Sequence, residues 1–234
     1  MWDRLFEPAF TRVNVPRRQL WSFAQEAIHQ AVRARQGQVL VCDGEHGFNP
    51  YDYAELNLVR GFPADLAASR VLTKRAMTAF QWDTILDRHV ARKMVEAETA
   101  LVVAAPYDRL FLHEELRDWE AEDHLRFSVG DMKEKAERHN TPILALVDLP
   151  RLWRDNPAMA AILEEGVPRK WSVRAEGGAW LMADEAEGPL AKPWRTRPGT
   201  LDAFLPDAAP VEELEPLPPM GIRHGGQRHP WNQG

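Results

Sequence analysis

An apolar run followed by a polar turn is found in the segment Gln38-Val-Leu-Val-Cys-Asp-Gly-Glu-His-Gly-Phe-Asn-Pro50. Residues 38–42 are rich in β-branched side chains and predict a short, fully buried strand. Residues 43–50 end that strand with two glycines and two carboxylates, Asp43 and Glu45. Open α/β sheets place their ligands just beyond the carboxyl ends of such strands. We therefore expect the two carboxylates at a functional position.

The composition restricts the classes of protein to which the chain can belong. Its 234 residues and 44% hydrophobic content suit one α/β domain with an appendage. The formal net charge of −6 argues against an autonomous nucleic-acid binder, because neutralising phosphates needs a clustered basic surface. The single cysteine, Cys42, falls in the predicted strand and is expected to be a buried core residue rather than a reactive thiol.

Neither a membrane span nor a signal peptide is predicted. Every apolar run is far shorter than the length of about 18 residues that a transmembrane helix needs. The first residues, Met-Trp-Asp-Arg-Leu-Phe, lack the basic and then apolar order of a secretion signal. We therefore expect a cytoplasmic protein, with association with the nucleoid as an option.

Proline is concentrated towards the C-terminus. Nine of the 18 prolines lie between positions 189 and 230, in a stretch that also carries several glycines. Segments of this composition rarely bury enough apolar surface to fold by themselves. We predict a core domain over residues 1–185 and a flexible Pro/Gly-rich tail over residues 186–234.

Strand-like and helix-like segments alternate along the core. A charged helical region that reaches about residue 140 is expected to be interrupted at Gly130. Segments 170–174 and 179–182 flank a Glu-Gly-Gly turn and predict an antiparallel hairpin. The alternation predicts an α/β fold with a mostly parallel sheet, helices on both faces and this hairpin at its end. The parallel strands are predicted at residues 10–15, 38–42, 70–76, 99–105 and 142–148, with the clearest helix between residue 20 and Gly37.

The order of these elements resembles the core of the RecA/RadA recombinase family, in its archaeal and eukaryotic branch. Residues 39–50 are similar to the family's apolar strand, acidic turn and Phe-x-Pro, and residues 75–81 look like the end of its next strand. The resemblance covers about residues 13–182. It implies a RecA-like P-loop NTPase fold core, and it places Glu45 at the position of the family's water-activating glutamate.

The chain departs from the family pattern at two groups of residues that bind the nucleotide and its magnesium ion. The family's phosphate loop uses glycines, a lysine and a Ser or Thr, whereas this chain has no glycine before Gly37. Arg17 and Arg18 could attract an anion there, but they do not rebuild the backbone cradle. The family's magnesium-supporting aspartate is also missing, since residues 101–106 are apolar and Asp108 comes later. We therefore expect degenerate Walker A and Walker B motifs, neither cofactor nor metal, and an inactive ATPase homologue.

Other constellations give weaker signals. Asp43 and Glu45 could form a catalytic pair on a non-nucleotide substrate, but the sequence supplies no matching nucleophile or metal partner, so a structural role is favoured. His46 is expected to be a solvated turn residue. His224 and His229 lie in the predicted tail without cysteine neighbours, which argues against a zinc site.

Two predicted loops, residues 150–154 and 168–171, combine basic and aromatic residues and are candidates for contact with single-stranded DNA. Such pairs can neutralise phosphates and stack on bases, worth roughly 1–3 kcal/mol per stacked base. Trp171 is expected in the hairpin core, whereas Trp153 is the better exposed candidate. The candidate DNA-binding residues are Arg151, Trp153, Arg154, Arg169 and Lys170.

Phe6 and Ala9 fit the short Phe-x-x-Ala pattern by which recombinase subunits of the resembled family insert an aromatic ring into a neighbour. The alternative, an ordinary N-terminal packing segment, is favoured because the pattern is short and close to the first helix.

Three functions remain open at this point. The preferred hypothesis is a non-catalytic paralogue of the recombinase family, an accessory or regulatory subunit that binds a RecA/RadA-type recombinase or a related paralogue in DNA recombination and repair. The alternatives are a stand-alone module for single-stranded DNA and an enzyme that uses Glu45 and Asp43.

Overall fold

The computed structural model describes residues 2–96, 98–112, 116–176, 179–187 and 194–196. The strands are β1 Phe10–Asn14, β2 Gln38–Asp43, β3 Val71–Arg75, β4 Thr99–Ala105, β5 Ile143–Val147, β6 Arg169–Glu176, β7 Ala179–Asp184 and β8 Trp194–Thr196. The helices are α1 Trp2–Leu5, α2 Leu20–Ala34, α3 Pro50–Val59, α4 Ala64–Ser69, α5 Ala79–Thr84, α6 Ala91–Glu96, α7 Asp118–Arg138, α8 Leu149–Asp155 and α9 Pro157–Gly166.

The strands form one sheet of eight, in the order β3-β2-β4-β5-β1-β6-β7-β8. The pairings among β1 to β6 are parallel, and those of β6 with β7 and of β7 with β8 are antiparallel. The predicted fold class is confirmed: this is an α/β protein with a mostly parallel sheet and a C-terminal antiparallel hairpin. The arrangement is consistent with a RecA-like core.

Helices cover both faces of the sheet, and alternate residues of β2 belong to opposite faces. Val39 and Val41 join the apolar cluster that contains α2, whereas Leu40 and Cys42 join the cluster that contains α7. The run is apolar on both sides because both sides are buried, which is typical of a central parallel strand. Burial of the Cys42 thiol raises its pKa to about 12, as befits a core residue.

The chain changes direction between β1 and β5, which are neighbours in the sheet. From β1 it crosses through α2 to β2 on one side, and from β5 it crosses through α8 and α9 over the other face to β6. The carboxyl ends of two such strands enclose the crevice where α/β proteins bind ligands. The turn after β2 lies at the same edge of the sheet.

Two sequence predictions need correction. The helix predicted to break at Gly130 is continuous as α7, because Gly130 is exposed while Leu125, Val129 and Met132 pack in the core. A glycine costs a helix only about 1 kcal/mol relative to alanine, which that packing outweighs. The segment 150–154, interpreted as a loop, lies in α8, where Asp148 caps the helix by accepting a hydrogen bond from Arg151 N.

The predicted core boundary near Glu185 is followed by one further strand, β8, which pairs with β7. Apart from residues 186–187, the rest of the predicted tail, including His224 and His229, lies outside the described residues. Among the helices of the described segments, none has the length and apolar character needed to cross a membrane.

Candidate functional site

The candidate site lies at the carboxyl edge of the sheet, where the ends of β1 and β5 are hydrogen-bonded to each other. Arg17 N donates to Asp148 Oδ2 over 3.0 Å, and Leu149 N donates to Asn14 Oδ1 over 3.1 Å. These bonds tie the start of the α2 region to the start of α8. The crevice at the point where the chain changes direction is therefore bridged by the protein itself.

Asp43 ends β2 and organises the turn that follows. Its carboxylate is fully buried and accepts hydrogen bonds from the backbone N–H groups of Glu45, Gly47 and Phe48, each over 3.1 Å. Arg75 Nε, at the end of β3, lies 3.5 Å from Asp43 Oδ2. A buried carboxylate needs such partners, and here they fix the turn and hold it against the neighbouring strand. This geometry gives Asp43 a structural role.

Glu45 points from this turn towards the start of α2 and is held by two partners there. Its Oε2 forms an ion pair with Arg17, and its Oε1 accepts a hydrogen bond from Trp21 Nε1 over 2.8 Å. The Trp21 indole packs against Gly47 so closely that a Cβ at that position would overlap the ring. Both carboxylate oxygens of Glu45 are thus engaged with side chains of the chain itself.

The backbone at the start of α2 does not form a phosphate cradle. Pro16 has no N–H group, and residues Arg17–Gln19 form a 3₁₀ turn in which Gln19 N donates to Pro16 O over 2.8 Å. Leu20 N donates to Arg17 O, and Arg17 N is bonded to Asp148. Phosphate loops bind through free backbone N–H groups at a helix start, and here these three N–H groups already have acceptors.

Asp108 follows β4 and lies near Arg17. It is 3% exposed, and within the described residues its Oδ1 has no hydrogen-bond partner. Burial raises the pKa of Asp108 to about 6, although a backbone hydrogen bond and the charges of Arg17 and Arg109 oppose the shift. Burial also lowers the pKa of Arg17, which Asp108 in turn raises. The site therefore contains a buried carboxyl group whose pKa is raised.

The structure brings Asp43, Glu45 and Arg17 together but separates the two predicted DNA-binding segments. Arg151, Trp153 and Arg154 belong to α8, which begins at the carboxyl edge of the sheet. The other two candidates open β6 at the opposite edge, since they pair with Thr11 and Arg12 near the start of β1. These two are Arg169, which is bonded to Arg4 O and paired with Glu7, and Lys170, which is paired with Glu164.

The two tryptophans of these segments differ as predicted. Trp171 is fully buried, whereas Trp153 is 44% exposed on α8. Arg154 beside it has a side chain that is 73% exposed and paired with Asp155. Of the two segments, the one in α8 therefore presents an exposed aromatic ring together with arginine.

Phe6 is fully buried in the chain's own core rather than presented to a partner. Its ring stacks on Trp2 with centroids 5.6 Å apart, and the Arg35 guanidinium lies over it at 5.8 Å. Ala9 is half-buried. This placement agrees with the packing-segment alternative, because a ring that fills its own core cannot also fill a neighbour's pocket.

One described candidate remains, in the turn after β2. His46 is exposed in the turn, with a φ of 62°. Within the described segments, no group of three or more His, Cys, Asp or Glu side chains is arranged to hold a metal ion.

Sequence reasoning missed Trp21 and Asp148 as members of the site. In the sequence, Trp21 has the pattern of an ordinary helix residue, so only its contact with Gly47 assigns it to the site. Asp148 carried a usable signal, because it directly follows the buried strand β5. The rule that placed Asp43 at a strand end applies equally to it.

No known protein-family model matches the sequence, and no curated protein matches it significantly.

Proposed function

We propose that this chain is a non-catalytic RecA-like subunit that binds an active recombinase, or a related paralogue, in DNA recombination and repair. The partner supplies ATP hydrolysis, and the chain works without nucleotide. It caps or seeds a filament in the cytoplasm through the heterologous contact that otherwise repeats between identical subunits.

One observation carries the proposal: Arg17, Glu45 and Trp21 close the place where a phosphate loop would bind nucleotide. A nucleotide would have to break the Arg17–Glu45 ion pair and the bond from Trp21 to Glu45. It would also leave Glu45 partly buried without its cation, which is costly. The RecA-like strand order persists around this closed site, so the fold can retain a subunit surface without retaining the chemistry.

The same contacts weigh against the enzyme alternative. The Asp43 carboxylate accepts hydrogen bonds from three backbone N–H groups. Both carboxylate oxygens of Glu45 are engaged by Arg17 and Trp21. A general base must reach the proton that it abstracts. Here each carboxylate would have to give up structural partners first.

Two measurements on the full chain test the proposal. Calorimetric titration with Mg²⁺ and a nonhydrolysable ATP analogue should give no binding up to about 1 mM, the weak end of specific affinities. The tagged chain should recover a recombinase from extract of its native cells after nuclease treatment, and that recombinase is the positive control for the titration. Micromolar nucleotide binding by the chain, or loss of the recombinase on nuclease treatment, would refute the proposal.

The second candidate is a module for single-stranded DNA, favoured by one observation. Trp153 is 44% exposed on α8, beside an arginine whose side chain is 73% exposed. An exposed ring next to a cation is a typical stacking platform. Binding of an oligothymidine to the chain alone, with no recombinase recovered after nuclease, would favour this candidate over the first.

A further inference from the structure

A cleft of about 330 Å³ lies away from the candidate site, on the other face of the sheet beside strand β3. Its floor is built from two cross-strand pairs of β2 and β3, Leu40 with Leu72 and Cys42 with Lys74. Its wall is the helical segment that contains His89, Val90, Arg92 and Lys93. In the described sheet β3 is an edge strand, so the cleft opens at the border of the sheet.

The inside of the cleft is apolar. Leu40, Cys42 and Val90 are each at most 5% exposed, and Leu72 packs against the same cluster while remaining half-buried. An apolar cavity of this size is at the lower end of the range of about 300–1,000 Å³ typical of small-molecule sites. The space therefore favours the apolar part of a small ligand.

The mouth of the cleft is cationic. Lys74, Arg92 and Lys93 line it together with His89, and none of its described lining residues is acidic. These charges are close enough to affect one another. Burial is the largest cause that lowers the pKa of His89, and the charges of Lys74, Arg92 and Arg88 lower it further. The described part of the chain provides no salt bridge to Lys74, which is exposed. Lys74 is thus the cation at the mouth that an anionic group would meet.

The wall of the cleft has unusual backbone geometry. Residues Ile85–Val90 form a π-helical turn between α5 and α6, and Ala91 N donates to Leu86 O, five residues earlier. Turns of this kind interrupt the regular α-helix, and they occur frequently at functional sites. This one carries His89 and Val90 into the cleft.

We propose that this cleft binds a small amphipathic anion, a carboxylate or phosphate with an aliphatic or aromatic body. The apolar body lies on the Leu40–Leu72 pair against Val90, and the anionic group lies at Lys74. The site shares no residue with the Arg17–Glu45–Trp21 network, so it is independent of the proposed accessory function.

Calorimetry with octanoate and octan-1-ol tests both halves of the site. The two probes share an alkyl chain and differ in charge. A charge-assisted hydrogen bond at the mouth should make octanoate bind at least about tenfold more tightly than octanol. Lys74→Glu should remove most of that preference while leaving octanol binding within about twofold. Leu72→Trp fills the cleft and should weaken both probes at least about tenfold.

Lys133→Glu is the matched control, because it makes the same change of charge at an exposed lysine on α7 that does not line the cleft. It should leave both affinities unchanged. Circular dichroism establishes that each variant is folded, which is expected because Lys74 is exposed and Leu72 is only half-buried. Equal affinity for octanoate and octanol, no binding of either, or no effect of Leu72→Trp would overturn the proposal. Binding of oligothymidine that displaces octanoate and is insensitive to Leu72→Trp would assign the cations to nucleic acid instead.

Discussion

Replacing Gly47 with alanine tests whether Trp21 closes the candidate site. A Cβ at this position would overlap Nε1, Cε2 and Cδ1 of the Trp21 indole, so the ring has to move. The same ring donates the 2.8 Å hydrogen bond to Glu45. The substitution therefore removes a packing contact and a bond to a carboxylate at once.

The expected loss follows from these two contacts. Overpacking costs about 1–3 kcal/mol, and a hydrogen bond to a charged group contributes about 1.5–3 kcal/mol. The half-buried indole can relax towards solvent, so we expect Gly47→Ala to lower the free energy of unfolding by about 2–4 kcal/mol. In a Trp21→Ala background the overlap is gone. Alanine there should be neutral or stabilise by up to about 1 kcal/mol, because it restricts the unfolded chain.

Urea unfolding of the four proteins of this double-mutant cycle measures the coupling between the two positions. The two effects should depart from additivity by about 2 kcal/mol or more, since both act on one contact. Additivity within about 0.5 kcal/mol would refute the reasoning. It would mean that Trp21 does not occupy the space above Gly47 in solution.

Two further predictions concern Asp108 and Phe6. Because burial raises the folded pKa of Asp108 from 3.8 to about 6, its contribution to stability is complete below the unfolded pKa and is lost as the pH rises through 6. The free energy of unfolding of Asp108→Asn, relative to that of the wild type, should therefore rise by about 2 kcal/mol between pH 4 and pH 8. The same difference between the two proteins at both pH values in urea unfolding would contradict this. Phe6→Ala should lower the free energy of unfolding by about 3–5 kcal/mol, as expected for a fully buried ring. Phe80→Ala is the control, because the Phe80 ring is 62% exposed, and it should change the free energy of unfolding by less than about 0.5 kcal/mol. Equal effects of the two variants in urea unfolding would contradict the burial of Phe6.

The contacts at the carboxyl edge are made within the chain itself. Charged groups that lose water need partners of opposite sign or hydrogen-bond donors. Asp43 finds them in its own turn, and Glu45 and Arg17 find each other across the crevice. The edge is therefore stabilised by internal charge pairing.

The sequence by itself determined the alternation of strands and helices and the position of the acidic turn. The strand predicted at residues 99–105 is β4 with the same bounds, and the buried run at 38–42 is β2 with one added residue. These elements could be predicted because burial on both faces leaves a local pattern of apolar side chains. The place of Asp43 and Glu45 followed from the same locality, since both residues directly follow a buried strand.

Only the tertiary structure decided what those residues contact. Trp21 is 24 positions from Glu45 in the sequence. Asp148 is 131 positions from Arg17, whose backbone N–H group donates a hydrogen bond to it. The same reason separates the two basic segments, because the return of the chain through α8 and α9 carries them to opposite edges of the sheet. Local periodicity records which side of an element is buried, but not which distant element buries it. The partners of a charge are therefore fixed only when the strands have taken their order in the sheet.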